Sequence, residues 1–277
     1  MGQPIEEPKR SKGPKGQTMS VLKAIFHYTI GIILGIGNAI FFLSEIFKQI
    51  FTGRVRFSEV LKQIYEQGIQ SLVIIALTSF ASGAVLALQG YVMLSRFGAT
   101  EYVAHLVALS LVRELSPVFG SFIFSGKAGA RIAAELGAMN VNNQILATRT
   151  MGVDPMEYLV VPRMIACFFV LPLLVVFSEI VGVMGGYFIG VTEANIPGSF
   201  YITQTLKAVK YVDFFSGFIK TFFFALLIGW VCCYQGFYAK GGSLGVGKYT
   251  TQAVAFSYIF VVLSNVLLTK IILTLWG

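Results

Sequence analysis

Long apolar runs separated by short polar segments dominate the hydropathy pattern of this chain. Five of these runs are long enough to cross the hydrocarbon core of a bilayer as a helix, which takes about 20 residues. The runs cover 69–95, 103–126, 160–190, 213–238 and 251–275. The pattern therefore predicts an all-α integral membrane protein with five transmembrane helices.

A sixth apolar run, 24–44, also has the length of a span, but its flanks argue against that placement. Basic residues lie on both sides of it: Lys9, Arg10, Lys12, Lys15, Lys23, Lys48, Arg54, Arg56 and Lys62. If the run spanned, one basic cluster would lie outside, against the cytoplasmic bias of Lys and Arg. We therefore predict that 20–50 forms a helix in the cytoplasmic membrane interface. The segment 1–19, rich in Pro, Gly and Lys, is predicted to be a disordered basic cytoplasmic tail.

The basic residues of the loops give the five spans a direction. With the N-terminus in the cytoplasm, the basic residues of the outer loops are only Arg96, Lys207 and Lys210. The inner loops contain Lys127, Arg131, Arg149, Arg163, Lys240 and Lys248. This asymmetry follows the positive-inside rule. It predicts a cytoplasmic N-terminus and, after an odd number of spans, a C-terminus on the outer side.

The composition agrees with a membrane protein and removes other function classes. Hydrophobic residues make up 56% and charged residues 12% of the 277 residues, and the mean hydropathy is +0.75. Because basic residues collect in cytoplasmic loops, the net charge of +8 does not indicate nucleic-acid binding. Cys167, Cys232 and Cys233 have no metal-binding spacing and are interpreted as small buried hydrophobes, so neither a metal site nor a disulfide framework is predicted.

Two adjacent charges, Arg113 and Glu114, lie near the middle of the apolar run 102–124. Charges at that depth are costly unless they face a partner or a wet cavity, so they indicate a functional site. Adjacent helical residues point about 100° apart, so at least one side chain must reach another helix, a second subunit or a polar ligand. Glu179 and Lys270 are further intramembrane charges, and the sequence does not choose a partner. A purely structural role, fastening packed helices together, is the alternative.

The segment between the second and third spans, 126–155, is too long for a turn and too polar to span. Its Ala, Leu, Glu, Met and Gln content favours a helix, and Pro155 ends it because the residue before proline avoids the α region. We predict a cytoplasmic helix over 128–151. Its apolar residues form a partial stripe, made by Ile132, Leu136, Met139, Ile145 and Leu146. Such a stripe favours docking of a partner protein, and folding back onto the bundle is the alternative.

The last cytoplasmic loop contains a sequence, Gly242–Lys248, with the glycine and lysine spacing of a phosphate-binding P-loop. Tyr249 follows it where that motif needs a Ser or Thr for magnesium, and no strand precedes it. We therefore interpret the segment as a flexible hinge between the fourth and fifth spans.

One face of the first span is a candidate groove for acyl chains. Leu86, Gly90, Met93, Leu94 and Phe97 recur at helical spacing, with Gly90 making the face shallow and Met93 adaptable. Plain packing or a lipid-facing surface is the alternative interpretation of such a stripe.

Gly182, Gly186 and Gly190 recur every four residues along the third span. Small residues at this spacing let two helix backbones approach closely in a membrane. The stripe indicates either packing within the chain or a contact between two copies.

Five stretches of the chain also match a known sequence pattern. They are SGAVLALQGYVMLSRFG (82–98), ALSLVRELSPVFGSFIFSGKAGARIAAELGAM (108–139), MGVDPMEYLVVPR (151–163), LPLLVVFSEIVGVMGGYFIG (171–190) and GFYAKGGSLGVGKYTTQAV (236–254). These stretches resemble the MlaE/YrbE family of ABC-transporter permeases. The resemblance covers about 20–277 and implies a permease domain of that type. It leaves out the tail 1–19, and Ser116 stands where a glycine is usual.

The resemblance implies roles for particular residues. The cytoplasmic helix would be a coupling helix that docks in a groove of an ATPase subunit. Its matching positions are Arg131, Glu135, Met139, Gln144, Leu146 and Met151. Phospholipid would bind in an outward-opening cavity between two copies of the permease. The matching lipid-binding positions are Leu86, Met93, Leu94, Phe97, Arg113 and Glu114.

A function follows from the same resemblance as a hypothesis. The chain would be a non-catalytic permease subunit without a cofactor, forming a homodimer in the bacterial inner membrane with its C-terminus in the periplasm. Separate ABC ATPase subunits would bind ATP and drive phospholipid movement between the inner membrane and a periplasmic MCE-domain protein, contributing to outer-membrane lipid asymmetry.

Two other classes of function stay open as rivals. One is an intramembrane lipid-metabolising enzyme, for which His27 and His105 lie far apart in sequence and the spans hold few carboxylates. The other is a passive membrane scaffold that only anchors an ATPase.

Overall fold

The computed structural model describes most of the chain. The described residues are 35, 37–53 and 55–276. They fall into two units, Met1–Glu45 and Ile46–Gly277, and the described part of the first unit is helical. The predicted tail 1–19 and the N-terminal part of the helix predicted over 20–50 lie outside the described residues, so both stay predictions.

After a helical stretch that ends at residue 52, the described part of the second unit contains seven helices. They are α1 Phe57–Ser95, α2 Thr100–Val141, α3 Gln144–Thr150, α4 Met156–Thr192, α5 Gly198–Ala208, α6 Tyr211–Phe237 and α7 Gly242–Trp276. Five of them, α1, α2, α4, α6 and α7, are long and apolar enough to cross a membrane. No strand occurs in the described residues. The predicted all-α membrane fold with five spans is therefore confirmed.

The most extensive helix pairing in the bundle is that of α1 with α4, and glycines make it possible. A Cβ atom on Gly83 would lie 1.8 Å from the carbonyl oxygen of Gly182, and one on Gly185 would lie 2.1 Å from that of Phe80. Only glycine lets two backbones come this close. The pairing fixes α1 against α4, and α2 and α6 also pack on α4, whereas α7 packs on α2 and α6.

The glycine stripe of α4 packs within the chain. A Cβ atom on Gly182 would lie 3.1 Å from Leu111, and one on Gly190 would lie 2.6 Å from the ring of Tyr201. A Cβ atom on Gly186, between them, would lie 2.7 Å from Val107 and 2.8 Å from the Tyr201 hydroxyl. Packing within the chain is therefore the correct interpretation of this stripe, and a contact between copies along it is wrong.

The helix α2 is irregular, and its sequence supplies the cause. The helix widens to π-helical geometry at Leu111–Leu115 and again at Ser125–Gly129. Pro117 has no N–H group and its ring crowds the carbonyl four residues earlier, so the ordinary helical hydrogen bond to Arg113 O cannot form. Wide turns of this kind inside α-helices are frequent at functional sites. The first of them carries the adjacent charges Arg113 and Glu114.

The glycine-rich sequence before the fifth span is helical. The segment Gly242–Lys248 forms the first turns of α7, so its interpretation as a flexible hinge is wrong. A Cβ atom on Gly245 would lie 1.8 Å from the carbonyl oxygen of Lys240. Glycine is therefore required at position 245, because the Lys240 backbone leaves no room for a side chain.

The segment predicted as one cytoplasmic helix, 128–151, is two helices. Asn143 has a φ of 59°, in the left-handed region that Asn tolerates better than most residues, and it interrupts the helix. The residues before it continue α2 to Val141, and those after it form α3. The Asp154 carboxylate then accepts a hydrogen bond from the Met156 N–H at 2.9 Å, at the start of α4. The loop thus presents α3 as a separate short helix.

Candidate functional site

Two ion pairs join α2 to α6 within the spans. Arg113 Nη2 lies 2.5 Å and Arg113 Nε 2.8 Å from Asp213 Oδ1, while Lys220 Nζ lies 2.7 Å from Glu114 Oε1. Asp213 and Lys220 are two helical turns apart, so one face of α6 presents both. The adjacent charges of α2 therefore both reach another helix, as their divergence on α2 requires.

Lys220 is the buried centre of this arrangement, with only 2% of its surface exposed. Besides its ion pair with Glu114, its ammonium donates to the Arg113 carbonyl oxygen at 3.1 Å and to Thr269 Oγ1 at 2.8 Å. The Arg113 carbonyl is the one that Pro117 leaves without a helical donor. All three N–H donors of the ammonium are thus used, and one of them satisfies the Arg113 carbonyl in place of the missing helical hydrogen bond.

The helix α7 completes the coordination of the Glu114 carboxylate. Asn265 Nδ2 donates to Glu114 Oε2 at 3.0 Å, and Thr269 Oγ1 donates to Glu114 Oε1 at 3.0 Å. Asn265 Oδ1 is buried and has no hydrogen-bond partner among the described residues. We call these six side chains the polar cluster: Arg113, Glu114, Asp213, Lys220, Asn265 and Thr269.

A close approach of α6 to α2 brings the polar cluster together. A Cβ atom on Gly217 would lie 2.2 Å from the Val112 carbonyl oxygen, in the first wide turn of α2. Gly217 lies between Asp213 and Lys220 in sequence. The glycine therefore holds both charged side chains of α6 within hydrogen-bonding distance of α2.

Two cavities open beside the polar cluster. The smaller, of about 320 Å³, is lined by Arg113, Glu114, Asp213, Lys220, Thr269 and apolar residues of α6 and α7. The larger, of about 530 Å³, is lined by Glu114, Asn265, Thr269, Lys270 and apolar residues of α7. Volumes of this size are typical of ligand sites. Charge on one side and apolar wall on the other suit an amphipathic ligand.

The structure divides the lipid face predicted on α1. Gly90 is buried, and Leu86 and Leu94 pack against the core between α1 and α2. Met93 and Phe97 are 69% and 83% exposed. None of these five residues lines either cavity beside the polar cluster. Within one copy of the chain, the predicted positions on α1 and the charges on α2 therefore belong to separate surfaces.

The charges that pair with Arg113 and Glu114 are not those the sequence offered. Glu179 is buried in α4, and Lys270 lies on α7; neither forms an ion pair among the described residues. The partners are instead Asp213 and Lys220. Their spacing of seven residues on one apolar helix is the sequence signal that would have found them.

A second charged network lies at the other end of the bundle, which carries α3. Arg131 Nη2 lies 2.5 Å from Glu66 Oε2, and Arg131 Nε lies 2.6 Å from Glu135 Oε1. Arg163 Nη2 lies 3.1 Å from Glu135 Oε2. These contacts connect α1, α2 and α4.

The predicted coupling residues form two groups. The internal group, in or beside the second charged network, consists of Arg131, Glu135 and Met139. The outward group, exposed on α3 or directly after it, consists of Gln144, Leu146 and Met151. Ile145 is buried and anchors α3 to the bundle. The exposed apolar surface of this loop is therefore the one around Leu146 and Met151.

Together these features define a class of protein: an α-helical, multi-pass membrane protein with a charged site inside its spans and an exposed helix between the second and third. A profile of the Permease MlaE family matches residues 60–271. The chain belongs to this family, and the resemblance carried by its sequence motifs is confirmed. It is a non-catalytic permease component of an ABC transport system.

Similar proteins occur in several groups of organisms. A probable ABC transporter permease protein of Rickettsia bellii is 39% identical over 253 residues, covering 91% of this chain and 98% of the relative. The intermembrane phospholipid transport system permease protein MlaE of Haemophilus influenzae is 36% identical over 219 residues, covering 79% and 84%. Protein TRIGALACTOSYLDIACYLGLYCEROL 1, chloroplastic, of Arabidopsis thaliana is 31% identical over 226 residues, covering 82% and 65%.

Proposed function

We propose that two copies of this chain form the membrane-spanning part of a transporter that moves phospholipid between the bacterial inner membrane and a periplasmic MCE-domain protein. The acyl chains lie against the apolar walls of the cavities, and the head group meets the polar cluster. Transport by this route contributes to outer-membrane lipid asymmetry. The name of the Haemophilus influenzae relative supports phospholipid as the substrate.

The observation that carries the proposal is the polar cluster with its adjoining cavities. The side chains of Arg113 and Glu114 are 49% and 39% exposed in a single copy of the chain. In a bilayer that exposure would place charge against hydrocarbon, which is unfavourable. A second copy facing α7 encloses these side chains in a shared cavity. The arrangement thus favours both a homodimer and a polar-headed ligand.

ATP acts in this proposal through separate ABC ATPase subunits that dock on α3. The exposed Leu146 and Met151 form the apolar contact, and Gln144 lies beside them. The P-loop-like sequence Gly242–Lys248 is helical and carries Tyr249 in place of the magnesium-binding hydroxyl, so it is no site for nucleotide. In this proposal the permease itself carries no cofactor.

The orientation follows the distribution of basic residues. The end that carries α3 lies in the cytoplasm, and the C-terminus lies in the periplasm. Asp213 is the third residue of α6, which begins at the opposite end of the bundle from α3. The polar cluster therefore opens towards the periplasmic leaflet, where an MCE-domain protein receives or delivers lipid.

Coupling in this proposal runs from α3 to the spans. Closing of the ATPase subunits moves α3, and the second charged network transmits the movement from Glu135 to α1 through Arg131 and to α4 through Arg163. The glycine-tight pairing of α1 with α4 moves as one body. The cavity between the two copies narrows and expels the lipid.

The test is lipid transfer by the reconstituted complex. The permease, its ATPase and the MCE-domain protein are placed in liposomes, and phospholipid reaching the MCE-domain protein is measured with ATP and with an ATPase variant that cannot hydrolyse it. We expect transfer to require hydrolysis and to fall in Arg113→Gln and Glu114→Gln variants that assemble normally.

Two outcomes would contradict the proposal. Full transfer in both variants at normal assembly would favour a passive scaffold. Chemical conversion of lipid by the permease without ATP would favour an intramembrane enzyme.

A further inference from the structure

Lys270 brings an additional positive charge to the larger cavity. It follows Thr269 directly in α7 and lines the cavity of about 530 Å³ together with Glu114 and Asn265. Its side chain is exposed in a single copy of the chain. Among the described residues its ammonium forms no ion pair. A ligand in this cavity therefore meets a cation that the protein itself does not neutralise.

The remaining charges around the cavities cancel in pairs. The Glu114 carboxylate accepts hydrogen bonds from Lys220, Thr269 and Asn265. The Asp213 carboxylate is engaged by the Arg113 guanidinium and by the Lys210 N–H. Both carboxylates are thus committed to contacts within the protein. The charge left for a ligand is the positive one of Lys270.

We infer that this cavity prefers phospholipids whose head group has a net negative charge, and that Lys270 sets the preference. The inference rests on the proposed function, because it takes lipid to occupy the cavity. A phosphate accepts a charge-assisted hydrogen bond from a lysine ammonium. The ammonium of a zwitterionic head group needs a free carboxylate, which the cavity lacks, and is repelled by Lys270. A glycerol head group brings no such charge.

A surface role for Lys270 predicts a different result. The residue lies six positions before Trp276, so its side chain is long enough to reach the head-group layer and rest there. A lysine resting in that layer would contact bulk lipid and leave the lipid in the cavity unselected. The composition of the lipid held by the complex therefore separates the two roles.

The experiment is a competition between two lipids with identical acyl chains. The purified permease–ATPase complex is exchanged into equimolar phosphatidylglycerol and phosphatidylethanolamine, and the retained lipid is measured by native mass spectrometry. We expect the wild type to retain more phosphatidylglycerol. In Lys270→Gln the ratio of the two lipids should fall about threefold, the effect of one partly exposed charge pair.

Two control variants make the result specific. Lys270→Arg keeps the charge and should keep the preference. Lys207→Gln removes the same charge from an exposed position on α5 that lines neither cavity, and it should leave the ratio unchanged. An equal fall in Lys207→Gln would overturn the inference, because it would show an effect of surface charge alone.

The remaining outcomes separate the inference from the proposed function. Retained lipid with the same ratio in the wild type and Lys270→Gln would overturn the inference and leave the proposed function standing. Equal loss of both lipids in Lys270→Gln would also overturn it, since the residue would then bind any phosphate. A wild-type complex that retains neither lipid would contradict the proposed function itself.

Discussion

Lys220 supplies the buried positive charge on which the polar cluster depends. It is 2% exposed, whereas the Arg113 side chain is 49% exposed. Its ammonium donates hydrogen bonds to the Glu114 carboxylate, the Thr269 hydroxyl and the Arg113 carbonyl. Removing one member of a buried ion pair leaves the other charge unpaired, which costs far more than the pair itself contributes. Stability should therefore be more sensitive to Lys220 than to the half-exposed Arg113.

Replacing Lys220 by methionine should lower the free energy of unfolding by about 2 kcal/mol, because the Glu114 carboxylate loses its cation and the Arg113 carbonyl loses its side-chain donor. The measurement is the thermal unfolding midpoint of the purified protein in detergent. A matched variant, Lys207→Met, removes an exposed lysine and should leave the midpoint unchanged. The double variant Lys220→Met with Glu114→Gln should recover part of the loss. Equal midpoints for Lys220→Met and Lys207→Met would contradict this account of the cluster.

The close approach of α6 to α2 positions the charges of the cluster. Gly217 lets the α6 backbone pass the first wide turn of α2, and a Cβ atom there would lie 2.2 Å from the Val112 carbonyl oxygen. Backbone atoms cannot yield in the way that the end of a flexible side chain can. Even the smallest side chain should therefore push the two helices apart and lengthen both ion pairs.

Gly217→Ala should lower both the unfolding midpoint and lipid transfer. Gly247→Ala is the matched control, because a Cβ atom on Gly247 would meet nothing within 4 Å and alanine favours a helix interior by about 1 kcal/mol. We expect this second variant to be neutral or more stable. Both variants are compared by thermal unfolding and by the reconstituted transfer assay. A Gly217→Ala protein that matches Gly247→Ala in both assays would refute the close-contact argument.

The short helix α3 exists as a separate element because Asn143 adopts a left-handed backbone conformation. Asn143 breaks the helix that the sequence predicted over 128–151, and α3 then leaves Leu146 57% exposed while burying Ile145. An exposed leucine on a short polar helix is well placed to bind an apolar groove.

Leu146→Glu should abolish co-purification of the ATPase, because it puts a charge in the apolar contact. Leu206→Glu is the control, since Leu206 is 74% exposed on α5, at the opposite end of the bundle. Affinity capture of the tagged permease, followed by quantification of the ATPase, distinguishes the two. Docking on α3 would be refuted if Leu146→Glu and Leu206→Glu retained the same amount of ATPase.

At the scale of the whole molecule, the sequence predicted local features well and contacts between helices poorly. The five spans are set by the length of their apolar runs, and Arg113 and Glu114 stand out because charge inside such a run is costly. Their partners, Asp213 and Lys220, depend on which face of α6 turns towards α2. Apolar periodicity does not determine that when every span is apolar on most faces.

The role of a glycine is equally hard to predict from the sequence. The segment Gly242–Lys248 was predicted as a hinge, yet Gly245 is there because Lys240 leaves no room for a side chain. Glycine indicates either flexibility or close approach, and only the position of the neighbouring chain tells which. The stripe through Gly182 is ambiguous in the sequence for the same reason, and its contacts with Leu111 and Tyr201 identify it as close approach.

In the proposed function, lipid occupies the cavities beside the polar cluster and ATP turnover expels it. Leu273 lines both cavities, and Leu173 is a matched leucine, 67% exposed on α4, that lines neither. The most direct measurement puts a photo-crosslinking amino acid at each position and quantifies radiolabelled phospholipid captured by the reconstituted complex, with and without ATP. We predict capture at both positions without ATP, and a fall during ATP turnover at Leu273 alone. Capture that responds to ATP equally at both positions, or at neither, would contradict the account.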